Sequence, residues 1–183
     1  MSDRAQYAPS PATGAQAVRK DGEKWTLILV RELRHSPEKV WQALTDPAQL
    51  REWAPFEVDK NLAATGNVNL TWVGSPKPLE TKVVRADAPK VLEYDDTRWE
   101  LEPFGDGTRL TLWSNIDRRF ISMGAAGWHI AFDVLDRFLS GTPIGRIAGP
   151  DAVKFDGWQR LNAEYAKQFA IETPAWPSTA RKQ

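Results

Sequence analysis

Ser36-Pro37-Glu38-Lys39-Val40-Trp41-Gln42-Ala43-Leu44-Thr45-Asp46-Pro47-Ala48-Gln49-Leu50-Arg51-Glu52-Trp53 carries two helix starts in tandem. Ser36 has the side chain of an N-cap, and Pro37 stands at the first helical position, where a missing N–H costs nothing. Val40, Trp41 and Leu44 form the apolar stripe of a first short helix. Asp46 and Pro47 repeat the start, Gln49 stands at the capping-box spacing, and Leu50 and Trp53 give the second stripe. Immediately upstream, Trp25, Leu27, Leu29, Arg31 and Leu33 alternate with Thr26, Ile28, Val30, Glu32 and Arg34, which predicts a strand with one strongly apolar face. Arg31 is the exception on that face.

Downstream the period of two returns. Val68, Leu70 and Trp72 alternate with polar residues after Gly66. A run from Leu79 to Ala86, a turn at Ala88-Pro89-Lys90, and Val91-Leu92-Glu93-Tyr94 make two more strands. Trp99, Leu101 and Pro103 oppose Arg98, Glu100 and Glu102, and a Gly105-Asp106-Gly107 turn leads into Leu110 and Leu112. This is an antiparallel meander with one wetted face. Residues 120 to 140 switch to a helical period: Trp128, Phe132, Leu135 and Leu139 share a face, Gly141 supplies a left-handed cap, and Asp133 with Arg137 forms a solvated pair on the far flank. Beyond a Pro/Gly connector, Asp156 and Gln159 repeat the capping spacing before a last helix with Trp158, Leu161, Tyr165 and Phe169. Residues 1 to about 22 show no sustained hydrophobic period, which predicts a mobile extension before a domain spanning 23–170. Residues 171–183 read as a second unstructured tail.

The strand ending Arg31-Glu32-Leu33, the segments Pro37-Glu38-Lys39-Val40-Trp41 and Ala43-Leu44-Thr45-Asp46-Pro47, and Leu50 with Trp53-Ala54-Pro55 together resemble the opening of the START-like or SRPBCC superfamily. These are the helix-grip proteins, and the likeness is to the branch named for the activator of the ninety-kilodalton heat-shock protein ATPase. Trp99 to Pro103 with Gly105 to Leu112 looks like the family's penultimate hairpin, and Gly127-Trp128 with Leu135 and Leu139 like its gripped helix. The resemblance implies an α+β helix-grip fold: a curved antiparallel sheet of about six or seven strands around a long C-terminal helix, two short helices after the first strand, and here one extra helix at the end. It also implies a ligand space between sheet and long helix. The residues available to line it are Trp72, Tyr94, Trp99, Leu101 and Leu110 from strands and Trp128 and Phe132 from the helix, with Arg31 as the charged contact. Periodicity alone leaves open whether these side chains line a cavity or interdigitate as core. For Arg31 the alternative to a ligand is an internal ion pair, with Glu93 as the candidate partner.

Composition narrows the function. The chain has 183 residues, and its 24 basic against 24 acidic residues form no basic run with interleaved aromatics, which argues against nucleic-acid binding. No apolar stretch is long enough to cross a bilayer and the first residues lack a secretory core, so a cytoplasmic location is expected. With no cysteine, thiolate metal sites and cysteine nucleophiles are excluded. The nine tryptophans are the unusual feature, and they suit a bulky core or a flat apolar guest. His129 and Asp133 stand at a metal-ligand spacing with too few partners elsewhere, and His35 beside Ser36 lacks the motifs of a nucleophilic serine. No metal, no cofactor and no catalytic residue is expected. The leading reading is a carrier of an apolar, aromatic or lipid-like small molecule. A polyketide cyclase or aromatase, using Arg31, Tyr94 and His129, is the enzymatic alternative that relatives suggest. A co-chaperone-like interaction protein is the other, with Trp53, Ala54 and Pro55 as an exposed patch for a protein partner or second copy.

Overall fold

The structure is a computed structural model that describes residues 3–19 and 24–171. A one-turn helix α1 (Asp3–Gln6) and strand β1 (Ala15–Arg19) precede the long strand β2 (Lys24–Leu33). Then come α2 (Pro37–Thr45) and α3 (Pro47–Trp53), followed by β3 (Phe56–Val58), β4 (Gly66–Trp72), β5 (Leu79–Asp87), β6 (Val91–Tyr94), β7 (Thr97–Phe104) and β8 (Gly107–Asp117). After a single 3-10 turn the chain enters α4 (Ile121–Leu139), a short α5 (Pro150–Val153) and α6 (Asp156–Phe169). The eight strands form one curved, open antiparallel sheet in the order β1-β2-β8-β7-β6-β5-β4-β3. The helix-grip architecture is as the sequence suggested. Two strands were not legible in it, β1 and the three-residue β3, and both are sheet edges.

The tandem helix starts hold in detail. The Ser36 side chain accepts from the Lys39 N–H at 3.2 Å, and Asp46 accepts from Ala48 at 3.0 Å. Gln49 turns back to the Asp46 carboxylate at 3.4 Å, so the second box closes between side chains. Gly141, at φ 82°, ends the long helix as predicted. The last helix differs: its cap position is Phe155 without a side-chain bond, Asp156 is already helical, and Gln159 instead donates to the Val153 carbonyl at 3.1 Å.

Leu27, Leu29 and Leu33 of β2, Leu110 and Leu112 of β8, Trp99 and Leu101 of β7, and Leu92 and Tyr94 of β6 are buried on the concave face. Helix α4 lies on that face, with Trp128, Phe132, Leu135 and Leu139 buried beneath it. A bulge on β5 between Val83 and Arg85 shifts the register and leaves Val84 exposed, the kind of insertion that bends a sheet. Helix α6 packs on the other side of α4, where Ser122 donates to Asn162 at 2.7 Å in a buried bond.

Two readings need correction. Residues 3–19 are not an extension apart from the domain: β1 pairs with β2 from Ala15↔Leu29 to Arg19↔Trp25, and Tyr7 and Pro9 are buried. Short, proline-rich and irregular, this stretch has no period to detect, because its contacts are made one residue at a time. The predicted C-terminal tail lies outside the described residues apart from Ile171. The second correction is that Trp53 and Ala54 form no surface patch, since both are 0% exposed.

The β7–β8 turn leaves no room for a side chain at Gly107, where an added Cβ would sit 1.9 Å from the Leu33 carbonyl oxygen. Gly107→Ala is expected to destabilise the protein by about 2–3 kcal/mol through overpacking, measured as a lower urea midpoint with unchanged slope, whereas Gly105→Ala next to it meets no atom within 4 Å and acts only through its φ of 56°.

Candidate ligand-binding site

Between the concave face and α4 the aromatic side chains meet ring against ring. Trp99 of β7 lies edge-on to Trp128 of α4, with centroids 5.4 Å apart, and 5.9 Å from Phe132 one helical turn on. Trp53, at the end of α3, reaches Trp99 at 6.2 Å, Trp128 at 6.3 Å and Phe132 at 6.5 Å. Its indole N–H donates to the Ala43 carbonyl of α2 at 2.9 Å, so the tandem helices deliver this ring to the centre of the cluster. Phe56 of β3 touches Trp128 at 6.4 Å and Tyr94 at 6.3 Å, and carries the chain of rings outward to Trp72 at 5.5 Å. Trp72 is the exception among the candidate walls, at 44% exposed. Leu101 and Leu110 are buried and paired across β7 and β8. Trp53 and Phe56 escaped sequence reasoning, one because it resembled a helix-end surface residue and the other because three residues show no period.

Among the described residues one hydrogen bond joins two rings of the cluster: Trp99 Nε1 donates to the Tyr94 hydroxyl oxygen at 3.0 Å. The Tyr94 O–H itself donates to no group among the described residues. Burial pushes its pKa well above the ordinary phenol value, so the proton stays on and is free to be donated.

Arg31 stands at the border of this cluster, its guanidinium 5.7 Å from the Phe132 ring centre. Its partner is Asp133, at 2.5 Å, and it also donates to the His129 carbonyl at 3.3 Å. Glu93, the partner suggested by sequence, lies elsewhere, bridged to Arg98 at 3.3 Å and Arg85 at 3.6 Å. Asp133 therefore does not form a solvated pair with Arg137. It is shared between Arg31 and the Tyr7 hydroxyl, which donates at 2.5 Å, while Arg137 lies over the Tyr7 ring at 5.4 Å. His129 is fully buried. Its Nδ1 lies 2.7 Å from the Tyr165 hydroxyl and its Nε2 lies 3.2 Å from Ser10 Oγ. Among the described residues no three His, Asp or Glu side chains converge as metal ligands. His35 presents one nitrogen, Nε2, to both Asp136 at 3.1 Å and Ser140 at 3.3 Å, whereas a catalytic triad needs opposite ring nitrogens.

Residues 24–151 match the family model described as "Polyketide cyclase / dehydrase and lipid transport". The chain belongs to this family. No curated protein matches the chain. Among solved structures, EF2215 of Enterococcus faecalis, a conserved protein of unknown function, aligns with a TM-score of 0.62 at 19% identity over 87% of this chain and 92% of its own. CalU16 of Micromonospora echinospora aligns at 0.61 and 20% identity over 85% and 97%. MLL2253 of Mesorhizobium loti aligns at 0.56 and 26% identity over 64% and 98%. These likenesses show the helix-grip fold, and the family match supports the SRPBCC superfamily.

The family match takes in the concave sheet face, the aromatic cluster and α4, and leaves out residues 3–19 and helix α6. No helix among the described residues is long and apolar enough to cross a membrane. A separate groove of about 410 Å³ opens on the convex face, floored by Ile28 and Trp113 and rimmed by Asp95, Asp96 and Arg98. It shares no residue with the candidate walls between the concave face and α4.

The Arg31–Asp133 pair carries a direct stability expectation. Arg31→Met leaves a half-buried carboxylate without its cation and should lower stability by about 2–3 kcal/mol. Arg31→Met/Asp133→Leu should recover most of that loss, and denaturant melts of the two variants measure the difference.

Proposed function

We propose that this member of the family binds an apolar, flat or lipid-like small molecule between the concave sheet face and α4, and holds it without converting it. The observation that carries the reading is the chain of rings from half-exposed Trp72 through Phe56 to Trp128, Trp99 and Phe132. Aromatic faces stack on planar guests as they stack on each other, at about 0.5–1.5 kcal/mol per pair beyond area burial. A guest entering beside Trp72 would exchange ring–ring contacts for ring–ligand contacts at little net cost.

The Tyr94 hydroxyl supports a guest with one acceptor oxygen. A buried O–H without an acceptor is costly, by about 1–3 kcal/mol, and a ligand carbonyl placed against it removes that cost. Leu101 and Leu110 supply apolar wall on one side, and Arg31, already neutralised by Asp133, marks the polar end. The absence of catalysis is proposed on the same geometry. The ionisable group within the ring cluster is Tyr94, held protonated by burial, and no base among the described residues bonds to it to form an acid–base pair.

The test uses 6-propionyl-2-dimethylaminonaphthalene, a flat fluorescent ketone, with quenching of tryptophan emission as the readout. Saturable binding is expected, weakened about 10-fold or more in Trp99→Leu and Phe132→Leu, a loss equivalent to about 1.4 kcal/mol. Tyr94→Phe should weaken it less and shift the probe's emission to the blue, as a hydrogen bond to its ketone is lost. Trp113→Leu, on the convex face, should leave it unchanged. Binding that depends on Trp113 and ignores Trp99 and Phe132 would move the site to the convex groove and overturn the proposal.

A further inference from the structure

The chain outside the family match makes a second construction, independent of the ligand reading. Residues 4–14 run as a strap across the outer side of α4 and along α6 before the chain joins the sheet as β1 at Ala15. Arg4 donates to the carbonyls of Ile144, Gly145 and Arg146 at 3.1, 2.8 and 3.2 Å. Tyr7 stacks on Phe155 at 5.7 Å and bonds Asp133. Arg160 of α6 donates to the Pro9 carbonyl, and Glu164 accepts from the Ala12 N–H at 2.9 Å. Tyr165 accepts from the Thr13 N–H at 3.2 Å and donates to the Thr13 carbonyl at 2.9 Å, and Gln168 donates to the Ala15 carbonyl at 2.8 Å. Most of these ties are single polar bonds, and a segment so held opens at lower free energy than a packed core.

At the centre of the strap lies the buried ring of His129. Because the Tyr165 hydroxyl spends its proton on the Thr13 carbonyl, its oxygen accepts from His129, which places the imidazole proton on Nδ1. Nε2 is then bare and accepts from the Ser10 hydroxyl. We propose that His129 makes the N-terminal strap a pH-sensitive latch, closed over the neutral imidazole and released when the ring is protonated.

The groups facing the ring show why. From β2 comes Arg31, from α4 Asp133, from the strap Tyr7 and Ser10, and from α6 Tyr165, Arg160 and Glu164. Desolvation dominates and holds the imidazole at about 4, below its ordinary 6.5; the Arg31 and Arg160 cations push the same way, and Asp133 and, least of all, Glu164 oppose them. Ser10 can rotate its hydroxyl to accept from a protonated Nε2, yet one hydroxyl does not replace the hydration of a buried cation. The nearest carboxylate oxygen is Asp133 Oδ2, 3.8 Å from Nε2. That oxygen is the one Tyr7 holds. An imidazolium drawing Asp133 toward itself therefore competes with Tyr7 and Arg31, so protonation loosens the strap at Tyr7 and forces Ser10 to reverse its bond.

The sign follows from linkage. The closed strap binds a proton less readily than the open one, so closure is complete above pH 6.5 and lost as pH falls from 6.5 towards 4. Amide hydrogen exchange on the full chain, corrected for intrinsic rates, tests it. Relative to pH 7.5, protection of the Ala12 and Thr13 amides should fall about 10-fold at pH 5.5 and about 70-fold at pH 4.5, while the Leu112 amide in the central sheet keeps its protection. His129→Gln should flatten the dependence, and Glu164→Gln should retain it. Three results would overturn the latch: protection that is flat with pH, strap protection lost in step with Leu112, or a dependence that disappears in Glu164→Gln. The wild-type and Glu164→Gln arms decide the matter even if His129→Gln does not fold.

Discussion

Arg31 stands on the concave face of β2 among leucines, where a largely buried guanidinium needs an anion. It finds Asp133, and that single requirement sets how α4 is turned about its axis. With 3.6 residues per turn, holding Asp133 toward β2 and the strap carries His129, four residues earlier, to nearly the same side. Phe132 and Trp128 then swing toward the sheet, where they meet Trp99 and Trp53. Any other rotation would bury the carboxylate in the aromatic cluster or expose the rings. The ion pair thus does more for the orientation of the helix than for its attachment, which rests on apolar burial.

One helix consequently presents two chemistries. Its sheet side is ring packing crossed by the bond between Trp99 and Tyr94. Its other side is a polar network in which Tyr7, Ser10, Asp133, His129 and Tyr165 satisfy one another. Arg31 touches both, since its guanidinium lies over Phe132 and its hydrogen bonds run to Asp133 and the His129 carbonyl. A displacement of α4 on one side is therefore felt on the other.

Much of the fold was legible residue by residue. Ser36 and Asp46 cap where their side chains and the following prolines say they should, and Gly141 ends the long helix in the left-handed conformation that glycine allows. The other six strands, β2 and β4 to β8, show the alternation of a half-buried sheet, whereas β1 and β3 are too short or too irregular to show any. Of the candidate site, the inward-facing Tyr94, Trp99, Leu101, Leu110, Trp128 and Phe132 are brought together, while Trp72 stays at the surface, joined to them through Phe56. Trp53 lay at the end of a short helix, where exposure and burial look alike in sequence. Its place inside comes from the angle between α2 and α3, seen in the bond from its indole to Ala43.

Local periodicity and capping within a few residues are enough to place the four longer helices, six of the eight strands, the concave face of the sheet and the apolar face of α4, and the family is reached by residue resemblance. The partners are set by packing: Asp133 rather than Glu93 meets Arg31, Trp53 and Phe56 join the rings, and the N-terminal segment lies over His129. The reason is distance along the chain. Arg31 and Asp133 are 102 residues apart and Ser10 and His129 are 119 apart. Periodicity says which side of an element is buried, and the choice among the many side chains able to meet there is made when the elements pack.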